Sequence, residues 1–166
     1  MATGRTSPRF CKIQIEDTGG VMRDFPVKTI GDVGLTYQEL DVSAMQEIVI
    51  GFLTGQATFS LDITGPFDNK AAATASVSGE AASAHLSGSH TVLQPLNGGL
   101  TAKSFAVYFG IQADWTTGDP VFGAVDSVIV SNYTHNPSTG EYSCKITKAA
   151  TAVNDPAWGT TAIAAS

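Results

Sequence analysis

Three groups of residues in this 166-residue chain have types and spacings that could do chemistry. The first is Asp17-Thr18-Gly19. In a homodimeric aspartic protease such a tripeptide supplies one of two carboxylates that share a proton. Here Glu16 would place an extra charge beside that pair, and Gly20-Val21 continues as a hairpin would, so the turn is the better reading. The second is Ser87-Gly88-Ser89-His90, which sets hydroxyls beside an imidazole. Triad members are brought together by a fold and are rarely neighbours in an Ala/Gly-rich stretch. Ser89 or His90 fits better at the start of a short helical turn carrying Val92, Leu93 and Leu96, stopped by Pro95 and Asn97-Gly98-Gly99. The third is the set His85, His90 and His135 with Cys11 and Cys144. Loops separate the histidines, without the pairings of a zinc site. The two cysteines lie far apart in strand-like runs and read as free thiols, with a bridge as the alternative. Glycines punctuate turns and form no phosphate-cradling loop between strand and helix. The expectation is a protein without catalytic residues, cofactor or metal, acting through its surfaces.

The elements that would position those surfaces read as mainly β. Phe10–Glu16 alternates apolar and polar residues and runs into the Asp17–Gly20 turn; Val21–Ile30 resumes the pattern, with Pro26 marking an edge or bulge. Leu35–Val42 is a further extended segment. Ser43 with Gln46 has capping-box spacing, and Met45, Ile48, Val49 and Phe52 recur at helical period, predicting one short amphipathic helix over about residues 43–52. Ala57–Gly65 carries Phe59, Leu61 and Ile63 on one face, and Lys103–Ala113 repeats the alternation with Phe105, Val107, Phe109 and Ile111. Each has a second face of small or polar residues suited to meeting another subunit. Val125–Thr134 and Glu141–Lys148 form a second hairpin around His135–Gly140. Lys70–Ser89 is almost wholly Ala, Ser, Gly and Thr and reads as a long surface loop. The expected fold is an antiparallel β-sandwich or partly closed barrel with one short helix. It divides into an arm (1–9), a single β domain (10–160, with loop 66–89) and a tail (161–166).

Fifteen acids against nine bases give a net charge of −6, and five of the bases (Arg5, Arg9, Lys12, Arg23, Lys28) fall in the first 28 residues. An acidic body opposes tight, sequence-reading nucleic-acid binding, which needs cations to replace counterions along the phosphates. No apolar run approaches the roughly 18 residues of a membrane span, and Met1–Arg9 lacks the apolar core of a secretory signal. Synthesis in the cytoplasm of the producing cell is expected.

The order Leu35-Thr36-Tyr37-Gln38-Glu39-Leu40-Asp41-Val42-Ser43, short helix, Gly51-Phe52-Leu53-Thr54-Gly55, then an alternating strand ending Thr64-Gly65-Pro66-Phe67-Asp68, resembles tail tube (major tail) proteins of long-tailed bacteriophages. Ser89–Leu93, Gly118–Gly123, the Tyr133–Tyr142 hairpin and Pro156-Ala157-Trp158-Gly159-Thr160 follow in the family's order. The resemblance covers about residues 10–160, and the Ala/Ser-rich segment departs from it. It implies a virion protein whose copies join into rings, stacked with other tail proteins into a tube. Viral DNA passes through that tube without sequence-specific binding. A capsid decoration protein and a monomeric ligand-binding β-sandwich are the alternatives. On this reading Arg5 and Arg9 of the arm, Phe67 of the long loop, Trp115 and Phe122 around Gly118-Asp119-Pro120, and Trp158 of the closing Pro156–Thr160 stretch are subunit contacts. Asp62, alternating away from Leu61 and Ile63, faces the lumen.

Overall fold

The computed structural model describes residues 6–43, 51–73, 86–111 and 113–166. Among the described residues ten strands are formed: β1 (Thr6–Glu16), β2 (Met22–Asp24), β3 (Thr29–Ile30), β4 (Thr36–Asp41), β5 (Phe52–Thr58), β6 (Ser60–Pro66), β7 (Lys103–Ile111), β8 (Val121–Asn136), β9 (Glu141–Lys148) and β10 (Ala157–Gly159). Among the described residues the one helix is α1 (Ser89–Leu96). Eight strands make one antiparallel sheet, in the order β2-β1-β7-β8-β9-β6-β3 with β10 beside β8; β4 and β5 pair separately.

Chain connectivity forces this sheet to curl. Its two edges, β2 and β3, are joined through Asp24–Thr29, a reach of at most about 18 Å. Six inter-strand steps in a flat sheet would hold them roughly 29 Å apart. Phe25–Lys28 therefore crosses the opening and ties the edges: Lys28 N–H donates to Thr64 C=O at 2.8 Å, and the Tyr142 hydroxyl donates to Pro26 C=O at 2.8 Å. The crossing requires a glycine beneath it, because a Cβ on Gly65 would stand 2.6 Å from the Pro26 carbonyl oxygen. The result is a partly rolled antiparallel sheet, not a closed barrel.

Alternation fills the concave face. Ile13, Ile15, Phe59, Leu61, Ile63, Phe105, Val107, Phe122, Val128, Val130, Tyr142, Cys144 and Ile146 form the core, with Val92, Leu93 and Leu96 of α1 packed into it. The helix stands where the short helical turn is expected, with Pro95 inside its last turn. Pro95 has no N–H to bond back to Thr91, and the helix ends one residue later, at Leu96. A second cluster, Ala106, Tyr108, Trp115 and Val121 with Met22 and Ile163, covers the opposite face of β7.

That second cluster changes two expectations. The polar face of 103–113 is not open: Ser104, Ala106 and Tyr108 are fully buried. The covering comes from the loop carrying Trp115 and from the C-terminal segment, whose small residues find a place on their own domain. Ile163 N–H donates to the Tyr108 hydroxyl at 3.0 Å, and Ser166 N–H donates to the Glu16 carboxylate at 3.2 Å. At the other end, Thr6–Arg9 continue β1, with Thr6 opposite Ile111. The helix expected over 43–52 falls on residues 44–50, which lie outside the described residues. At its flanks the Ser43 hydroxyl accepts Gly51 N–H, and Phe52 opens β5 instead of completing a helical stripe.

Candidate functional site

The surface that stands out is the β4–β5 hairpin. Among the described residues its strands pair only with each other, Thr36 opposite Thr58, Leu40 opposite Leu53 and Asp41 opposite Phe52, with a bulge between Tyr37 and Glu39. Nearly every residue on it is exposed. Alternation places Tyr37, Glu39, Asp41 and Phe52 on one face and Leu40, Val42 and Leu53 on the other. Tyr37 is 53% exposed, Phe52 56% and Leu53 59%. A surface ribbon normally turns one apolar face to its own core, whereas this one carries large apolar side chains outward on both.

Beside its root lies the second feature, an apolar groove of about 910 Å³ where the rolled sheet stays open. Cys11, Ile13, Phe25, Val27, Ile30 and Phe109 line it, with Lys28 and Glu141 at its rim as an ion pair. Burial raises the Cys11 thiol above its ordinary range, so this cysteine is a wall of the groove and a poor nucleophile. Lys12 contributes to the wall, but its ammonium sits 5.6 Å from the Tyr108 ring on the opposite face of the sheet.

The residues singled out by sequence do not converge. Arg5 lies outside the described residues, and Arg9 lies on β1. Phe67 is half-buried, stacked on His135 with centroids 4.1 Å apart and tilted against His90 at 4.8 Å. Trp115 is 2% exposed and Phe122 fully buried. Neither has a face to offer a neighbour, which corrects their assignment as contacts. The physical reason is that their loop folds back: the Trp115 indole N–H donates to the carbonyls of Asp119 and Pro120 at 3.0 and 3.1 Å, and Phe122 enters the core as part of β8. Trp158 does remain 57% exposed, lying over Phe109 and Phe122. Asp62 is exposed on β6 with Lys145 opposite it on β9. This stretch of outer surface, with Ser60, Thr64, Ser143 and Thr147, is therefore polar and close to neutral.

The catalytic-looking strings serve structure. The Asp17 carboxylate accepts Gly19 N–H at 2.8 Å and Val21 N–H at 3.0 Å and pairs with Arg23 at 2.7 Å. Burial pushes its pKa up, but Arg23 and the two amides outweigh that and hold it below the usual carboxylate range. It fixes the β1–β2 turn. Ser87 bonds the Ala73 backbone, and the Ser89 hydroxyl donates to Pro66 C=O at 2.9 Å. His90 meets Tyr133 at 3.1 Å. Both cysteines are free, and burial together with the Asp62 charge pushes the Cys144 thiol up to about 12.

Sequence reading passed over two residues that matter. Glu16 is buried, accepting Ser104 N–H at 3.1 Å and both Ser166 N–H and Oγ–H, with the Lys103 ammonium at 3.7 Å. Alternation puts Glu16 on the polar face of β1 with Lys12 and Gln14, opposite Ile13 and Ile15, so its position along the strand carried no sign of burial. Phe52 was assigned to a helix, though an aromatic followed by Leu-Thr opposite Thr36–Asp41 also has strand character. Among the described residues no group of three or more His, Cys, Asp or Glu gathers as a metal site, and no helix is long and apolar enough to cross a membrane. No protein-family model matches the chain, and no curated protein matches it.

Proposed function

We propose that this chain is a structural virion subunit, a tail tube protein whose copies join into rings that stack, with other tail proteins, into a conduit for phage DNA. The observation that carries the reading is the two-sided apolar hairpin. An isolated two-stranded ribbon is marginal in water. One that exposes Tyr37, Leu40, Val42, Phe52 and Leu53 leaves on the order of 400–500 Å² of apolar side chain wet, given the full size of such groups. Covering half of it would contribute about 5–6 kcal/mol at 25 cal/mol per Å². Two covered faces suit a stacked assembly, in which each subunit has neighbours within its ring and across rings. Asp62 and the hydroxyl-rich surface around it suit the channel side: near-neutral and polar, it gives phosphates no row of cations to displace counterions onto. Trp158 and Phe67 remain proposed contacts. The protein acts without catalysis, in the virion, after synthesis in the host cytoplasm.

Negative-stain electron microscopy of the purified chain across a concentration series, with sedimentation in parallel, tests the reading. Rings or tubes of uniform diameter with a central channel are expected above a threshold concentration. A strict monomer at every concentration would count against the tube. It would favour the second reading, a monomeric ligand-binding β domain, for which the 910 Å³ groove is the specific observation.

A further inference from the structure

We propose that the Tyr37/Phe52 face of the hairpin seats in the apolar groove of a second copy of the chain, head to tail. This rests on the assembly reading above and names the contact that would carry it. Hairpin and groove are distinct surfaces of one subunit: Ile30, Gly31 and Val33 line the groove, and β4 begins at Thr36. Gly34 between them has φ of 147°, a backbone conformation that favours glycine. The chain bends there, between the groove wall and the ribbon. Six residues of β4 reach roughly 20 Å, enough to meet a neighbour. A contact between two different surfaces repeats from copy to copy and gives a ring or a filament, whereas a self-complementary one stops at a dimer.

The chemistry matches on three counts. Ile13, Phe25, Val27, Ile30 and Phe109 offer an apolar bed, and Tyr37 with Phe52 supplies the aromatic anchors that dominate interfaces. Glu39 and Asp41 share that face, and the described hairpin carries no cation. At the groove's rim Lys28 is well exposed, with its ammonium bonded to Glu141. An incoming acid would share the Lys28 ammonium and set the register of docking. The Leu40/Val42/Leu53 face stays open for a different neighbour.

The test pairs two defective variants of the full chain. Tyr37→Ser/Phe52→Ser removes the anchors and leaves the groove intact; Val33→Glu charges the groove and leaves the hairpin intact, with Lys28→Glu as a rim variant on an exposed site. Melting curves establish that each is folded. Each alone is expected to stay monomeric where the wild type assembles, and an equimolar mixture is expected to give a 1:1 heterodimer and nothing larger, with Kd on the order of micromolar for one small contact, read by sedimentation and native mass spectrometry. Two outcomes overturn the inference while leaving the assembly reading standing: groove variants that assemble like the wild type, or a mixture that stays monomeric. Loss of thermal stability in both folded variants, with no heterodimer, would mean the hairpin lies in its own groove and overturns it too. A wild type that never assembles overturns the assembly reading and this contact together.

Discussion

Removing the Glu16 carboxylate should unfasten the layer that covers the back of β7. In Glu16→Ala the fully buried Ser104 N–H loses its acceptor, the C-terminal Ser166 loses its anchor, and Lys103, 18% exposed, loses its carboxylate and keeps the Asp17 carbonyl at 3.2 Å. A buried donor left unsatisfied costs about 1–3 kcal/mol, and breaking a buried ion pair from one side costs about 3–5 kcal/mol in all. For a chain of this length that lowers Tm by roughly 6–20 °C. Glu16→Gln keeps an acceptor oxygen for Ser104 and should cost less than half as much. The pH dependence separates charge from shape. Burial raises the Glu16 pKa, but the bonds from Ser104 and Ser166 outweigh it, so the folded value lies below the ordinary 4.5. Because the folded pKa is depressed, its contribution is complete above about pH 4.5 and is lost as pH falls through the folded value. Urea unfolding below the assembly threshold, from pH 7 down to 3, should show wild-type stability falling in acid more steeply than that of Glu16→Gln. Glu16→Ala within about 1 kcal/mol of wild type, or equal acid slopes for wild type and Glu16→Gln, would refute the clasp.

Asp17→Asn keeps an oxygen for Gly19 and Val21 and loses the Arg23 ion pair; it should lower stability by about 1 kcal/mol or less, measured by denaturant midpoint, and leave the assembly threshold unchanged. A protease would instead lose all activity on this change. Cys144, 4% exposed with its thiol pushed up to about 12, should resist a soluble disulfide reagent at pH 8 in the folded chain and react at an ordinary rate once unfolded in urea. Rapid labelling of the native protein would contradict the packing around β9.

Legibility in the sequence followed the range of the interactions. The alternation in Phe59–Ile63, Phe105–Phe109 and Tyr142–Ile146 marked core faces correctly, since a strand's period depends only on neighbours along the chain, while Ile111 at the end of β7 lies outside the core. The β8–β9 hairpin, the Asp17–Gly20 turn and the short helix at Ser89 were legible for the same reason. Trp115 and Phe122 were misplaced because an aromatic in a Gly/Asp/Pro-rich stretch looks the same whether its loop folds inward or stands out. The candidate site was half visible: Leu35–Val42 was read as extended, but its partner was not, because Gly51-Phe52-Leu53-Thr54-Gly55 looked like the end of a helix.

By itself the sequence determined a mainly antiparallel β domain, its turns and its core faces, all of which follow from local period and turn chemistry. Tertiary structure alone decided that Phe25–Lys28 ties β2 to β3 and leaves a groove beside it, that the C-terminal segment closes on Glu16, and that, among the described residues, β4 and β5 pair only with each other and expose large apolar side chains on both faces. Those facts depend on which segments distant in the chain come together, and side-chain types along a strand do not specify which other strand, loop or subunit will cover them.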